Sequence, residues 1–166
     1  MHDGESVPPR TRTIAPAAEF VGCGAVVRGR AFLETKGYLP LELGYGAEEV
    51  DVSLQLLDKG WEILRSDSLR VRHRTSRVHQ ATPEVTSAHI SNTALVGYLR
   101  YPLVLWCFVM LQVARRVYWS LRRGRSAGVG HGLASIPRHL WRHRAQRDPV
   151  KTRVILATRG LRRGAP

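Results

Sequence analysis

The chain has 166 residues, 43% of them hydrophobic, which is enough for one domain with a true core and too apolar for a disordered chain. Its formal net charge of +13 is uneven: from Leu121 to Pro166 twelve Lys and Arg stand against the single acid Asp148, a net +11, which leaves +2 for the first 120 residues. Basicity is therefore a property of the tail, and the part that could hold a catalytic site is nearly neutral.

Residues 1–18 read as a flexible polar lead-in with a Pro8-Pro9 pair and no apolar run of the kind a signal peptide needs. Residues 19–28 read as a strand, because Val21, Ala25, Val26 and Val27 are short and β-compatible. A short helix over 29–36 is stopped by Gly37, and Pro40, Gly44 and Gly46 mark a loop over 38–46. The next helix spans roughly 47–59. Its first turn carries Glu48, Glu49 and Asp51, which favour the positive end of a helix. Val50, Leu54 and Leu57 follow at i, i+4 and i+7 as a buried stripe, and Gly60 is the stop. Residues 61–65 and 68–73 read as short strands. In the second of these Leu69 and Val71 alternate with Arg70 and Arg72.

Residues 74–83 read as loop and 84–99 as helix. Fourteen uncharged residues then separate Arg100 from Arg115, fewer than the roughly 20 of a membrane span. A buried helix is the first reading of this run. An in-plane membrane helix is the second, anchored by Trp106, Phe108, Tyr118 and Trp119 with Arg100, Arg115, Arg116, Arg122 and Arg123. Gly, Ser and Arg dominate 123–132, which reads as a linker, and a short basic helix near 134–146 precedes a frayed tail. The chain thus divides into 1–18, a catalytic part at 19–83, an apolar helical segment at 84–122 and a basic tail at 123–166. Cys23 and Cys107 lie in apolar surroundings without metal-ligand spacing and read as buried free thiols, which suits a reducing cytosol.

The pieces gain meaning from their order. Phe20-Val21-Gly22-Cys23-Gly24-Ala25-Val26-Val27-Arg28 is followed by Ala31-Phe32-Leu33-Glu34 and Gly37-Tyr38. Then come Glu48-Glu49-Val50-Asp51, a helix closed by Gly60-Trp61, and Ser68-Leu69-Arg70-Val71-Arg72-His73. This order resembles the C-terminal half of the catalytic domain of family 2 glycosyltransferases, closely over 19–75 and more loosely to about 150. The resemblance implies an α/β fold: a partial GT-A-like domain followed by C-terminal α-helices. It also implies transfer of a sugar from a nucleotide-sugar donor to a glycan or lipid-linked acceptor with inversion. Two positions depart from the pattern: the Gly-Gly turn is Lys36-Gly37, and the acidic pair after the aromatic is Leu39-Pro40.

By the same resemblance Glu49 matches the general base, Glu48 precedes it as an orienting group, and Asp51 matches a frequent acid two positions on. His73 matches a metal ligand used by several members, and a divalent cation, Mn or Mg, is expected of the intact enzyme. A single imidazole cannot hold such an ion, and the family's Asp-x-Asp ligands are absent from the sequence, as is a Gly-rich phosphate loop. The nucleotide-binding half is therefore expected on a further stretch of polypeptide, such as a separate chain. For Glu48 and Asp51 the plainer reading is stabilisation of the helix start. Trp61 reads as core, and His79, His89, His131, His139 and His143 have no spacing that suggests a site.

Two other classes remain. A non-catalytic module could use the +11 tail and the aromatic run on an anionic membrane surface. Nucleic-acid binding ranks last, because the tail supplies charge but no recognition motif. The expected location is the cytoplasm, at the inner face of the plasma membrane.

Overall fold

The computed structural model describes residues 14–39, 46–72 and 82–163. In chain order these form β1 (Ile14–Pro16), α1 (Gly29–Leu33), α2 (Glu48–Asp58), β2 (Leu64–Ser66), α3 (Pro83–Arg100), α4 (Trp106–Arg122), α5 (Ala127–Arg142) and α6 (Thr152–Arg163). Short 3-10 turns stand at Gly22–Gly24, Leu103–Leu105 and Arg144–Gln146.

β1 and β2 pair antiparallel, with Ile14 opposite Ser66 and Pro16 opposite Leu64, and the Ala17 N–H extends the ribbon by donating to Ile63 O at 2.8 Å. Residues 19–28, expected as a strand, are extended at Val21, Ala25 and Arg28 but interrupted by the Gly22–Gly24 turn. The reason is physical. A strand needs a neighbour for its backbone donors and acceptors, and no strand among the described residues lies beside this one. The expected strand over 68–73 is also not formed by Ser68–Arg72. The described residues are mostly helical with this one ribbon, so the parallel sheet of a GT-A domain is not among them.

α3 is the central element. Thr82 caps it by accepting from the Val85 N–H at 3.3 Å, Pro83 fills its first turn, and Tyr101-Pro102 ends it. It is buried almost all round, from Val85 and Ala88 through Ile90 and Leu95 to Leu99. α5 and α4 pack along it, and three glycines allow the close approach. A Cβ on Gly97 would meet Val109 Cγ1 at 2.3 Å, one on Gly128 would meet Pro83 O at 2.2 Å, and one on Gly132 would meet Ser87 O at 3.0 Å. The expected linker over 123–132 is therefore wrong from Ala127 onward. Its glycines are contact residues inside α5, not hinges.

The tail is ordered as well. Asp148 N–H and Val150 N–H donate to Leu99 O and Arg100 O at 3.0 and 2.9 Å, so the chain folds back onto the end of α3. Asp58 at the end of α2 then caps α6: its Oδ1 accepts from Lys151 N–H at 2.8 Å, and Lys151 Nζ donates to Asp58 O at 3.0 Å. Val150, Val154 and Ile155 join Leu54, Val96, Tyr101 and Val109 in one core cluster. The expected frayed tail hid an apolar stripe behind its arginines.

Both cysteines are exposed, against the expectation of buried thiols. Trp61 is half-buried. It packs against the Ala31–Val52–Leu56 cluster, donates from Nε1 to Glu34 Oε2 at 2.9 Å and carries Arg28 over its ring. No helix among the described residues is long and apolar enough to cross a membrane.

Candidate functional site at the start of α2

The acidic turn of α2 has an unusual entrance. Gly46 and Ala47 both adopt left-handed backbone, with φ of 77° and 85°. Glycine takes this freely. For alanine it costs about 1–2 kcal/mol, a strain that surrounding contacts must hold in place. The contact is visible at Gly46, where an added Cβ would lie 2.1 Å from His89 Nδ1. The backbone of the turn rests directly on the imidazole of α3.

Beyond that turn the three acids separate by environment. Asp51 is fully buried. Its Oδ1 accepts from Arg100 Nε at 2.6 Å, and its Oδ2 from Arg100 Nη2 at 3.1 Å and Gln55 Nε2 at 2.8 Å. Arg100 is itself 1% exposed and donates onward to Asp148 O at 3.3 Å. A buried charge is tolerated only with a partner in good geometry, and this pair has one on both oxygens. Asp51 therefore locks α2 to α3 and to the returning tail.

Glu48 and Glu49 are half-buried at the helix start. Burial pushes the Glu48 carboxyl above its usual range and the neighbouring Glu49 adds to this, while main-chain hydrogen bonds at Glu48 and Gly46 pull the other way. Glu48 Oε2 is buried with no hydrogen-bond partner. Glu49 lies against the chain that precedes α1: a Cβ on Gly22 would meet Glu49 Oε1 at 2.8 Å. Two pieces far apart in sequence, the small-residue segment and the acidic turn, are thus brought together. Phe20 N–H fixes the same approach by donating to Ser53 Oγ at 3.3 Å.

Two further groups complete the constellation. The Tyr38 phenol is raised by burial, then by Glu49 and Glu48, and its ring stands 5.6 Å from that of Phe32. Burial holds the His89 imidazole below its usual range, the Arg116 and Arg125 charges add to this, and Glu49 opposes it. His89 is the residue that sequence spacing misses. It sits on a buried helix with no partner nearby in sequence, and only the packing of Gly46 on its ring reveals it.

His73, the expected metal ligand, lies outside the described residues. Among the described residues no group of three or more His, Cys, Asp and Glu could hold a metal ion. Glu48 and Glu49 make at most a pair, so these residues alone do not fit a divalent cation, and no step is routed through one.

Beside the site runs a groove of about 1070 Å3, lined by β1, residues 20–28, Trp61–Ser66 and Gly160–Arg162 of α6. Apolar side chains stand open around it, with Val21 68% and Val26 92% exposed. Compared with known proteins, the chain matches no family model, no curated protein and no solved structure.

Proposed function

We propose that these residues form the acceptor-side part of a family 2 glycosyltransferase with a GT-A-like fold. Such an enzyme moves a sugar, with inversion, from a nucleotide-sugar to a hydroxyl of a glycan or lipid-linked acceptor. The observation that carries the reading is the meeting of the Gly22 backbone with the Glu49 carboxylate at the start of α2. The resemblance gives the small-residue segment and the acidic motif in one sequence order, and chain order alone does not bring the two into contact.

In the reaction Glu49 takes the proton of the acceptor hydroxyl as that oxygen forms its bond to the anomeric carbon. The bond from the anomeric carbon to the diphosphate breaks on the opposite face, and the diphosphate leaves with the electron pair. Glu48 shapes the field around the base, and Asp51 is a positioning residue that fixes α2 through Arg100.

The donor half, with the ligands of its divalent cation, belongs to further polypeptide that packs its strands along the open groove beside Val21 and Val26. Open apolar side chains such as Val21 and Val26 favour such packing. The enzyme works at the inner face of the plasma membrane, where lipid-linked acceptors are met. The test is transfer by the enzyme with its donor half present. Glu49→Gln, which keeps shape and removes the base, is expected to lose transfer by roughly 10²- to 10⁴-fold. Transfer at the wild-type rate would overturn the proposal.

A further inference from the structure

α4 carries apolar residues on two faces. Val109, Val113 and Ser120 point into the core against α3 and α5, with Val117 half-buried among them. On the opposite side Cys107, Leu111, Ala114, Tyr118 and Leu121 are all exposed, spaced alternately by four and three residues. At 100° per residue these five form one stripe, and Met110 widens it to an arc of roughly 100°. The exposure is substantial: Met110 68%, Leu111 50%, Tyr118 52% and Leu121 51%. A soluble helix with one buried face has polar residues in this arc, so this second face calls for a covering.

Charge decides the covering. Arg115 and Arg122 border the stripe, and from Val85 to Arg147 the chain holds no Asp or Glu at all. Two copies facing each other across this stripe would set arginine against arginine. The arginines are also arranged for a partly dry boundary. Arg122 lies over the Tyr118 ring and donates to its hydroxyl at 3.1 Å, and Arg123 lies over the Trp119 ring. A convex helix face with aromatic and aliphatic side chains at the centre and guanidinium groups at the rim needs no shaped pocket in its partner. Those are the properties of a helix lying in a headgroup layer. Arg115 and Arg116 sit midway along α4, which rules out a spanning orientation.

We infer that the outer face of α4 docks in plane on a bilayer containing anionic lipids, with the Leu111–Tyr118 stripe entering the acyl boundary and Arg115 and Arg122 engaging headgroup phosphates. Two residues first expected in such an anchor have other work: Arg100 is buried in the Asp51 pair, and Phe108 is half-buried under Arg159. The inference deepens the membrane location of the proposed transferase, but it rests on α4 and not on the Glu49 site.

The test is co-sedimentation of the chain with vesicles of phosphatidylcholine alone and of phosphatidylcholine with phosphatidylglycerol in equal parts. Binding is expected for the anionic vesicles only and is expected to weaken as salt rises. L111E/Y118E, two exposed positions, is expected to lose at least about tenfold in binding. R115Q/R122Q is expected to lose roughly fivefold for each arginine removed. Met110→Glu, also exposed, serves as a second variant should the double substitution lower the melting temperature, and is expected to weaken binding to the anionic vesicles. Four results would overturn the inference: no binding by the wild type, equal binding to neutral vesicles, variants that bind as the wild type does, or a stable dimer broken by L111E/Y118E. Because no sugar transfer is read, an inactive Glu49→Gln enzyme that still binds vesicles separates the two claims.

Discussion

At the residue scale the three acids of one helical turn have three fates. Asp51 is the easiest to test. Removing one partner of a buried bidentate pair strands the other, so Asp51→Asn or Arg100→Met is expected to cost about 3–5 kcal/mol in denaturant unfolding. The double change to apolar residues is expected to cost less than the sum, and a loss below about 1 kcal/mol for either single change would contradict the assignment. Glu48 and His89 should show their environments in the pH dependence of melting. A carboxyl raised by burial binds its proton more tightly when folded, so stability falls as pH rises from the ordinary carboxylate range through the raised value. An imidazole lowered by burial is charged more readily when unfolded. It therefore lowers stability as pH falls from the ordinary imidazole range through the depressed value. Glu48→Gln is expected to flatten the first slope and His89→Gln the second; slopes equal to those of the wild type would contradict both. The acidic cluster was legible in the sequence because three carboxylates at a helix start are conspicuous. Arg100 and His89 were not, since each meets the α2 turn only through packing more than 40 positions away in the chain.

At the element scale α2 was legible from its apolar stripe and α3 from its uninterrupted length, whereas the stripe of α6 was masked by its arginines. The α2 and α3 bounds of Glu48–Asp58 and Pro83–Arg100 lie within a residue of the expected 47–59 and 84–99. The failures have two causes. Residues 19–28 have strand composition, but a strand also requires a neighbour, which residue type does not provide. The stretch around Gly128 and Gly132 has linker composition, but at a spacing of four residues those glycines lie on one face of a helix and admit α3. That reading makes a paired prediction. Gly128→Ala drives a methyl into the Pro83 carbonyl and is expected to cost about 1–3 kcal/mol. Gly130→Ala, in the same helix with nothing within 4 Å, is expected to be neutral or to stabilise by up to about 1 kcal/mol. Equal effects at the two positions, read by thermal melting, would show that α5 does not pack this closely.

At the scale of the whole molecule the described residues leave two surfaces open, and they are open for different reasons. The groove between β1, residues 20–28 and the end of α6 exposes Val21 and Val26, apolar side chains that suit further packing. The outer face of α4 exposes a helical stripe bordered by arginine, which suits a charged lipid layer. Net charge and hydrophobic content indicate a folded domain with a basic end; an in-plane helix is the second reading of the run after Arg100, and the groove is not legible in the sequence at all. An exposed Leu111 and a buried Val113 are the same kind of residue until the fold assigns their faces. Between the two surfaces stands the α2 turn, strained at Ala47 and braced by His89, holding Glu49 against Gly22. The most direct measurement is sugar incorporation into glycan and lipid extracts by membranes containing the wild-type chain or Glu49→Gln together with the proposed donor half. Vesicle binding and melting temperature are followed on the same variant. The account predicts transfer lost by roughly 10²- to 10⁴-fold with binding and melting unchanged. Undiminished transfer by the Gln variant would contradict it.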